Sequence, residues 1–557
     1  LSVVAIGVVI ASGSIALFDF PISMLMSLIP PLIIVIGVPN CIYLVNKYHA
    51  EFKRHSNKVM ALQRMIIKVG NATLLTNITT ALGFATFMFT ESDILKQFGT
   101  IAALNIIMMF FISISIIPSL LNLLPIPNAQ QLSHLERRWM YKVVSGYVNT
   151  VQNKRGLVYL FSILVLSLSI AGIVQIRATG NIVDDLPDND RVLTDLAWVE
   201  ENFNGVMPFE ALIDCGEQGK ALSPSNLKKI EKFQKLLEEY PEFSRSMSAV
   251  DATKVAVMAL NDGDLKHYRL PRGTREKMAL RSYMRNTEEK ARGIENAASV
   301  TRNFMDSTKA ITRVSAMMAD IGTYEMDDLM DDLRPRVDSI FSPEKYDVTL
   351  TGTSIVFLEG THYLVNNLAV SITLAIMLIA LIMALLFNST RMVLIALIPN
   401  IMPLLFTAGV MGWTGIPIKP STILVFSIAF GISVDDTIHF LAKYRQELSR
   451  LNWNIKDAVI LAVEETGVSM MYTSIVLFCG FMMFSMSEFD GTRSLGILIS
   501  VTLLVAMFAN LILLPTLLLT LNQFVTTKTF QEPLVDIIDE EEDIDLDALR
   551  IDVKKEE

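Results

Sequence analysis

Charged residues are scarce in this sequence. They make up 19% of its 557 residues, against about 25% in soluble domains, while 52% are hydrophobic and the mean hydropathy is +0.44. That balance excludes a disordered chain, a disulfide scaffold and a soluble nucleic-acid binder. Cysteine is scarcer still. Cys41, Cys215 and Cys479 stand far apart, two of them in apolar runs, with no disulfide or metal-ligand spacing. No cofactor and no nucleic acid are expected as partners. The formal net charge of -10 arises almost wholly from one segment. Between Glu532 and Glu557 twelve Asp and Glu face three Lys and Arg, so this tail carries -9 and the remainder of the chain about -1.

Length alone allows roughly three or four domains, but apolar runs claim much of the chain for a membrane. A spanning helix needs about 20 apolar residues. Ten runs of that kind cover residues 1–18, 23–45, 71–89, 101–123, 157–176, 363–386, 392–411, 422–441, 468–486 and 495–521. Lys and Arg are absent from the interior of each. The stretch after the second run holds Lys47, Lys53, Arg54, Lys58, Arg64 and Lys68, and the one before the fifth holds Arg137, Arg138, Lys142, Lys154 and Arg155. Lys443, Arg445, Arg450 and Lys456 follow the eighth. Basic loops stay in the cytoplasm, and these alternate with the acidic loops 91–93 and 487–490. The expected division is a four-span bundle (1–124), a cytoplasmic linker (125–156), a span (157–176), a large extracytoplasmic segment (177–362), a five-span bundle (363–521) and an acidic cytoplasmic tail (522–557).

The first four spans repeat in the last four. Lys47-Tyr48-His49-Ala50-Glu51 reads against Lys443-Tyr444-Arg445-Gln446-Glu447. Gly70, Thr76, Ile78, Gly83, Phe84, Phe87, Gly99 and Pro118 then align, at constant offset, with Gly467, Thr473, Ile475, Gly480, Phe481, Phe484, Gly496 and Pro515. Both copies share one orientation, so this is a parallel repeat, a known transporter architecture. In the second copy a span, the large segment and another span precede the matched four. Repeat symmetry, with a chain that opens at Leu1 inside an apolar run, implies roughly 230 residues before it.

The segment 177–362 alternates strand-like and helix-like runs. Strands are expected at 208–214, 310–319 and 347–352. Helices are expected at 224–240, capped by Ser223 with Pro224 in its first turn, and at 325–341, where Pro335 should kink or break the helix. With a helical insert around 274–292, these runs suggest an α+β domain of split βαβ units. The segment shows no phosphate loop, metal cluster or nucleophile elbow, so a ligand-guiding vestibule is expected rather than an enzyme. It also lacks an Asn-x-Ser/Thr sequon, which favours a bacterial inner membrane with a periplasmic domain.

The sharpest feature is the run from Gly431 to His439 (GISVDDTIH) in the eighth span. An Asp at a helix centre costs about 2.5–3.5 kcal/mol on a translocon scale, and here two are adjacent with no Lys or Arg in any span. His439 stands one turn on from both Asp435 and Asp436. Desolvation and a neighbouring like charge both favour the neutral form of a carboxyl group, and such a pair titrates as one coupled unit. The functional reading is a proton relay. The alternative is a structural cluster satisfied by hydroxyls of neighbouring helices. Thr473 and Ser474 are candidate partners, with plain helix packing as their other role. In the first copy Pro39, Asn40 and Tyr43 stand where the second has Asp435, Asp436 and His439. That half can hydrogen-bond but cannot carry a proton near neutral pH, so the relay is one-sided. Asn40 either faces the acids across the pseudo-symmetric centre or packs beside a proline kink. An intramembrane aspartyl protease is disfavoured, because its two acids face each other from different helices.

The Gly-x-x-x-Asp-Asp motif from Gly431 to Asp436, followed by Lys443-Tyr-Arg-x-Glu447, resembles the resistance-nodulation-division (RND) superfamily, most closely its MMPL and hydrophobe/amphiphile exporter-3 branch. The resemblance covers essentially the whole chain. It implies a polytopic helical bundle of twelve spans with porter-like α+β domains, moving hydrophobic or amphiphilic molecules, lipids among them, in exchange for protons. It also implies that Asp435 and Asp436 are the proton-carrying acids. A homo-oligomer and a periplasmic or outer-membrane partner protein stay open. Pro39-Asn40 departs from members that keep an acid in the first half. A sterol- or lipid-sensing protein, or a protein-translocation accessory, is the rival reading on the same fold.

Overall fold

The computed structural model describes residues 1–128, 138–176, 187, 190–279 and 303–521. The chain forms two compact units, one of Leu1–Arg177 with Asn366–Glu557 and the other of Ala178–Val365.

The larger unit is helical. Its first half comprises α1 (Ser2–Leu17), α2 (Ile29–His55), α3 (Lys58–Ala85), α4 (Asp93–Leu123), α5 (Arg138–Asn153) and α6 (Arg155–Ile173). The polar residue before α3 starts it in the usual way, with Asn57 accepting hydrogen bonds from the Val59 and Met60 amides. Residues 138–153, within the expected linker, form the helix α5, which leads directly into α6.

The smaller unit holds α7 (Arg191–Phe203), β1 (Met207–Asp214), α8 (Pro224–Leu237), β2 (Met247–Ser248), α9 (Ala249–Ala259), β3 (Ile311–Met318), α10 (Thr323–Ile340) and β4 (Asp347–Thr351). The sheet order is β2-β3-β1-β4 and every neighbouring pair is antiparallel. Strand β1 therefore lies at the centre. Its alternation sends Met207, Phe209, Ala211 and Ile213 into the core, where Phe233 of α8 and Leu333 and Val337 of α10 also bury their side chains. Ser223 caps α8 through the Asn226 amide. The short strand β2 and the helices α7 and α9 have no counterpart among the sequence expectations. Pro335 does not break α10, which runs unbroken through it. Pro335 and Asp331, one turn earlier, are both exposed, so the carbonyl that loses its partner faces water. Of the expected insert, residues 273–279 are helical and the rest lies outside the described residues, as does the acidic tail.

The remaining helices are α11 (Thr353–Phe387), which begins in the smaller unit, then α12 (Thr390–Thr414), α13 (Pro420–Arg450), α14 (Ile455–Met482), α15 (Asp490–Phe508) and α16 (Leu514–Thr520). A π turn over Ala509–Leu513 joins the last two. Among the described residues eight helices are long and apolar enough to cross a membrane. The other two expected spans fall short, as Ser2–Leu17 and Thr73–Phe89. Helix α3 carries Lys58, Arg64 and Lys68 early on, and only its later part is apolar.

Candidate functional site: a carboxylate pair inside the helical bundle

Helix α13 is the most enclosed of the eight candidate spans. Its apolar residues run all the way round, with Leu424, Val425, Ile428, Ala429 and Phe430 each buried, the mark of a helix at the centre of a bundle. The helix α3 reaches its backbone. Thr80 donates to the Gly431 carbonyl at 3.3 Å, and a Cβ on Gly83 would stand 3.1 Å from the Ser427 carbonyl oxygen. Glycine is what lets these two backbones meet.

On this enclosed helix Asp435 Oδ1 lies 3.2 Å from His439 Nε2. Asp436 Oδ2 accepts a hydrogen bond from Ser474 Oγ of α14 at 3.2 Å. Tyr43 of α2 packs on the His439 ring, with centroids 4.7 Å apart. Among the described residues no Lys or Arg pairs with either acid, and Asp435 Oδ1 accepts no hydrogen bond of good geometry. The Asp435 carboxyl and the His439 imidazole are close enough to share a proton, and among the described residues no Lys or Arg neutralises the pair.

The other expected residues are placed differently. Thr473 donates to the Ser469 and Met470 carbonyls of its own helix. The hydroxyl on the acid is that of its neighbour Ser474. Asn40 donates to Asn77 Oδ1 at 2.9 Å rather than to the acids. In the register of the repeat Asn40 corresponds to Asp436 and Asn77 to Ser474. The same contact therefore occurs in both halves, once between amides and once between a carboxylate and a hydroxyl. Gly480 repeats the role of Gly83, meeting Val35 of α2 where Gly83 meets Gly431.

The duplicated Lys-Tyr-x-x-Glu segments close the other end of α2 and α13. Glu447 pairs with Lys443 at 2.8 Å, and Lys443 reaches Glu465 of α14 at 2.7 Å. Glu51 lies 3.9 Å from both Lys47 and Arg64. A set of buried neutral polar residues, Asn400, Ser433, Thr437 and Asn510, has no place among the sequence expectations. Its one sequence signal is Ser433 and Thr437 four apart within an apolar run. Among the described residues no group of three His, Cys, Asp or Glu side chains could hold a metal ion.

Residues 1–145 and 222–533 match the MMPL family. The chain belongs to the MMPL family. Membership agrees with the resemblance to the RND superfamily carried by the acid motif and the repeat. A protein of Methanocaldococcus jannaschii named as a membrane protein is 26% identical over 190 residues, which are 34% of this chain and 49% of that relative. The chain thus spans about half the length of the curated relative it matches. For an MMPL protein the acid-bearing helix lies well inside the matched segments.

Proposed function

We propose that this chain forms the membrane and extracytoplasmic core of an exporter that moves hydrophobic or amphiphilic substances against protons. The observation that carries the reading is the Asp435–Asp436 pair. It lies half-buried on the most enclosed helix of the bundle and is contacted by His439 and Ser474, with no Lys or Arg beside it among the described residues. Acids inside a membrane are expensive and are retained for function. Protonation removes charge from the pair and changes how the two four-helix units pack, so the bundle alternates between two arrangements. On this reading the residue 178–365 unit lies in the periplasm of an inner-membrane protein, as the porter-like part that guides substrate. The partners on this reading are protons, membrane lipids and an apolar cargo, and the chain is not an enzyme.

The neutral Asn40–Asn77 contact limits proton carriage to one half. The same contact favours the second reading, a lipid-sensing protein or translocation accessory that does not pump. The full chain reconstituted in proteoliposomes decides between them. A fluorescent phospholipid analogue and a hydrophobic dye serve as probes, with and without an imposed pH gradient. Gradient-dependent movement that disappears in Asp435→Asn/Asp436→Asn supports the exporter. Binding of either probe without any gradient-dependent movement supports the sensor.

A further inference from the structure

Next to the acids, Ser433 and Thr437 of α13 enter a closed circuit of hydrogen bonds. Ser433 Oγ donates to Asn400 Oδ1 at 2.7 Å, and Asn400 Nδ2 donates to Thr437 Oγ1 at 2.8 Å. Thr437 Oγ1 donates to Asn510 Oδ1 at 2.8 Å, and Asn510 Nδ2 returns to the Ser433 carbonyl at 3.1 Å. Asn400 spends its second amide hydrogen on the Ala396 carbonyl. All four residues are at most 2% exposed. Polar groups withdrawn from water in a membrane are tolerated only when satisfied, and here every side-chain hydroxyl and amide of the four makes at least one hydrogen bond.

The repeat shows that the fold does not need this circuit. In the first half, Gly37, Cys41 and Ser113 occupy the positions of Ser433, Thr437 and Asn510. Helix α1 pairs Ser14 with Asn105 just as α12 pairs Thr407 with Thr502, which sets Gly7 opposite Asn400. The Met109 side chain fills that space, lying against both Gly7 and Gly37. The half without the acid pair is thus packed with a thioether. The half with the pair keeps the four-residue circuit, of which Ser433 and Thr437 lie on the same helix as the acids.

The partners of the circuit sit at deformable points. Asn400 lies between Pro399 and Pro403, which remove backbone donors on either side of it. Asn510 lies inside the π turn, a local irregularity of the helix ladder. The first-half helix α4 passes the corresponding positions as regular α-helix. Helix α12 is in turn locked to α6. A Cβ on Gly172, Gly409 or Gly412 would collide with the backbone of the facing helix, and Trp413 Nε1 donates to the Leu168 carbonyl at 3.0 Å. Along the chain, α6 leads into the residue 178–365 unit.

We infer that Asn400, Ser433, Thr437 and Asn510 are positioning residues that transmit a change at Asp435 and Asp436 from α13 to α12 and onward to α6. The inference rests on the proton-relay reading above. Among the described residues, the titratable groups against the acid pair are His439 of the same helix and, on its ring, Tyr43 of α2. Helix α14 contributes the neutral Ser474, while Thr80 of α3 and the amides of α12 and the π turn meet α13 at Gly431, Ser433 and Thr437.

Trp413 reports the far end of this path without any substrate. In the full chain, with Trp139, Trp198 and Trp453 replaced by Phe, a pH step should shift Trp413 emission. The shift should be lost in Asp435→Asn/Asp436→Asn. It should also be lost in Thr437→Val and Asn400→Leu, and it should return in Thr437→Ser, which keeps the hydroxyl. Each variant is first checked for monodispersity, and Thr437→Val alone suffices if Asn400→Leu fails to fold. Absence of a shift in the parent overturns the inference. A shift that survives in Asp435→Asn/Asp436→Asn overturns the relay and the inference together. A shift lost there but intact in monodisperse Thr437→Val overturns the inference alone and leaves the relay standing.

Discussion

At the scale of single residues the account turns on which hydroxyl touches the acid. Ser474 donates to Asp436, whereas Thr473 is occupied by its own helix. A hydrogen bond to a charged group contributes about 1.5–3 kcal/mol. Ser474→Ala should therefore lower gradient-driven transport by about tenfold or more, and Thr473→Ala should leave it within about twofold, both read as initial rates in proteoliposomes. The acids themselves were legible in the sequence because a charge inside an apolar run stands out against its surroundings. The choice between adjacent hydroxyls was not. Thr473 and Ser474 are 100° apart on a helix, and only the packing of α13 against α14 fixes which one faces Asp436. Asn77 was illegible for the same reason. Amides and hydroxyls are ordinary in membrane helices, and the partner of Asn40 could be named only once α2 and α3 were placed side by side.

At the scale of elements, the crossing of α3 and α13 depends on two glycines with unequal room. A Cβ on Gly431 would find Thr80 at 3.4 Å, an ordinary contact, while one on Gly83 would press on the Ser427 and Gly431 backbone at 3.1 and 3.2 Å. Gly83→Ala should lower stability by about 1–3 kcal/mol, as overpacking does, and Gly431→Ala should be nearly silent. Thermal unfolding in detergent checks both. In the smaller unit Arg269 and the Arg272 amide hold Glu276 down to about 2. A depressed carboxylate stabilises above its unfolded value of about 4.3 and loses that contribution as pH falls toward the folded one. Amide protection at Arg272, corrected for intrinsic exchange, should fall across that window, and Glu276→Gln should remove the dependence. Strand β1 and helix α8 were readable from alternation and from the Ser223-Pro224 start signal. The two-residue strand β2 carries too little pattern to be read, and Pro335 misled because its exposure on α10 is a tertiary fact.

At the scale of the whole molecule, one duplicated bundle has been specialised unequally. Corresponding positions hold Asn40 and Asp436, Asn77 and Ser474, Gly37 and Ser433, Ser113 and Asn510. At three of these four positions, Asp436, Ser433 and Asn510, the second copy is the more polar one. Parallel duplication was plain in the sequence, since eight matched positions at constant offset outlast chance apolar similarity. What the inequality does became visible only when the helices were packed and Met109 was found against Gly7 and Gly37. The acidic tail that dominates the net charge takes no part in this account, in which two carboxylates with no Lys or Arg beside them among the described residues do the coupling. The most direct test is simultaneous measurement of proton entry and probe export in proteoliposomes holding the full chain under an imposed pH gradient. The account predicts that both fluxes occur in the parent and that both vanish in Asp435→Asn/Asp436→Asn. Gradient-driven export that persists in that variant would contradict it.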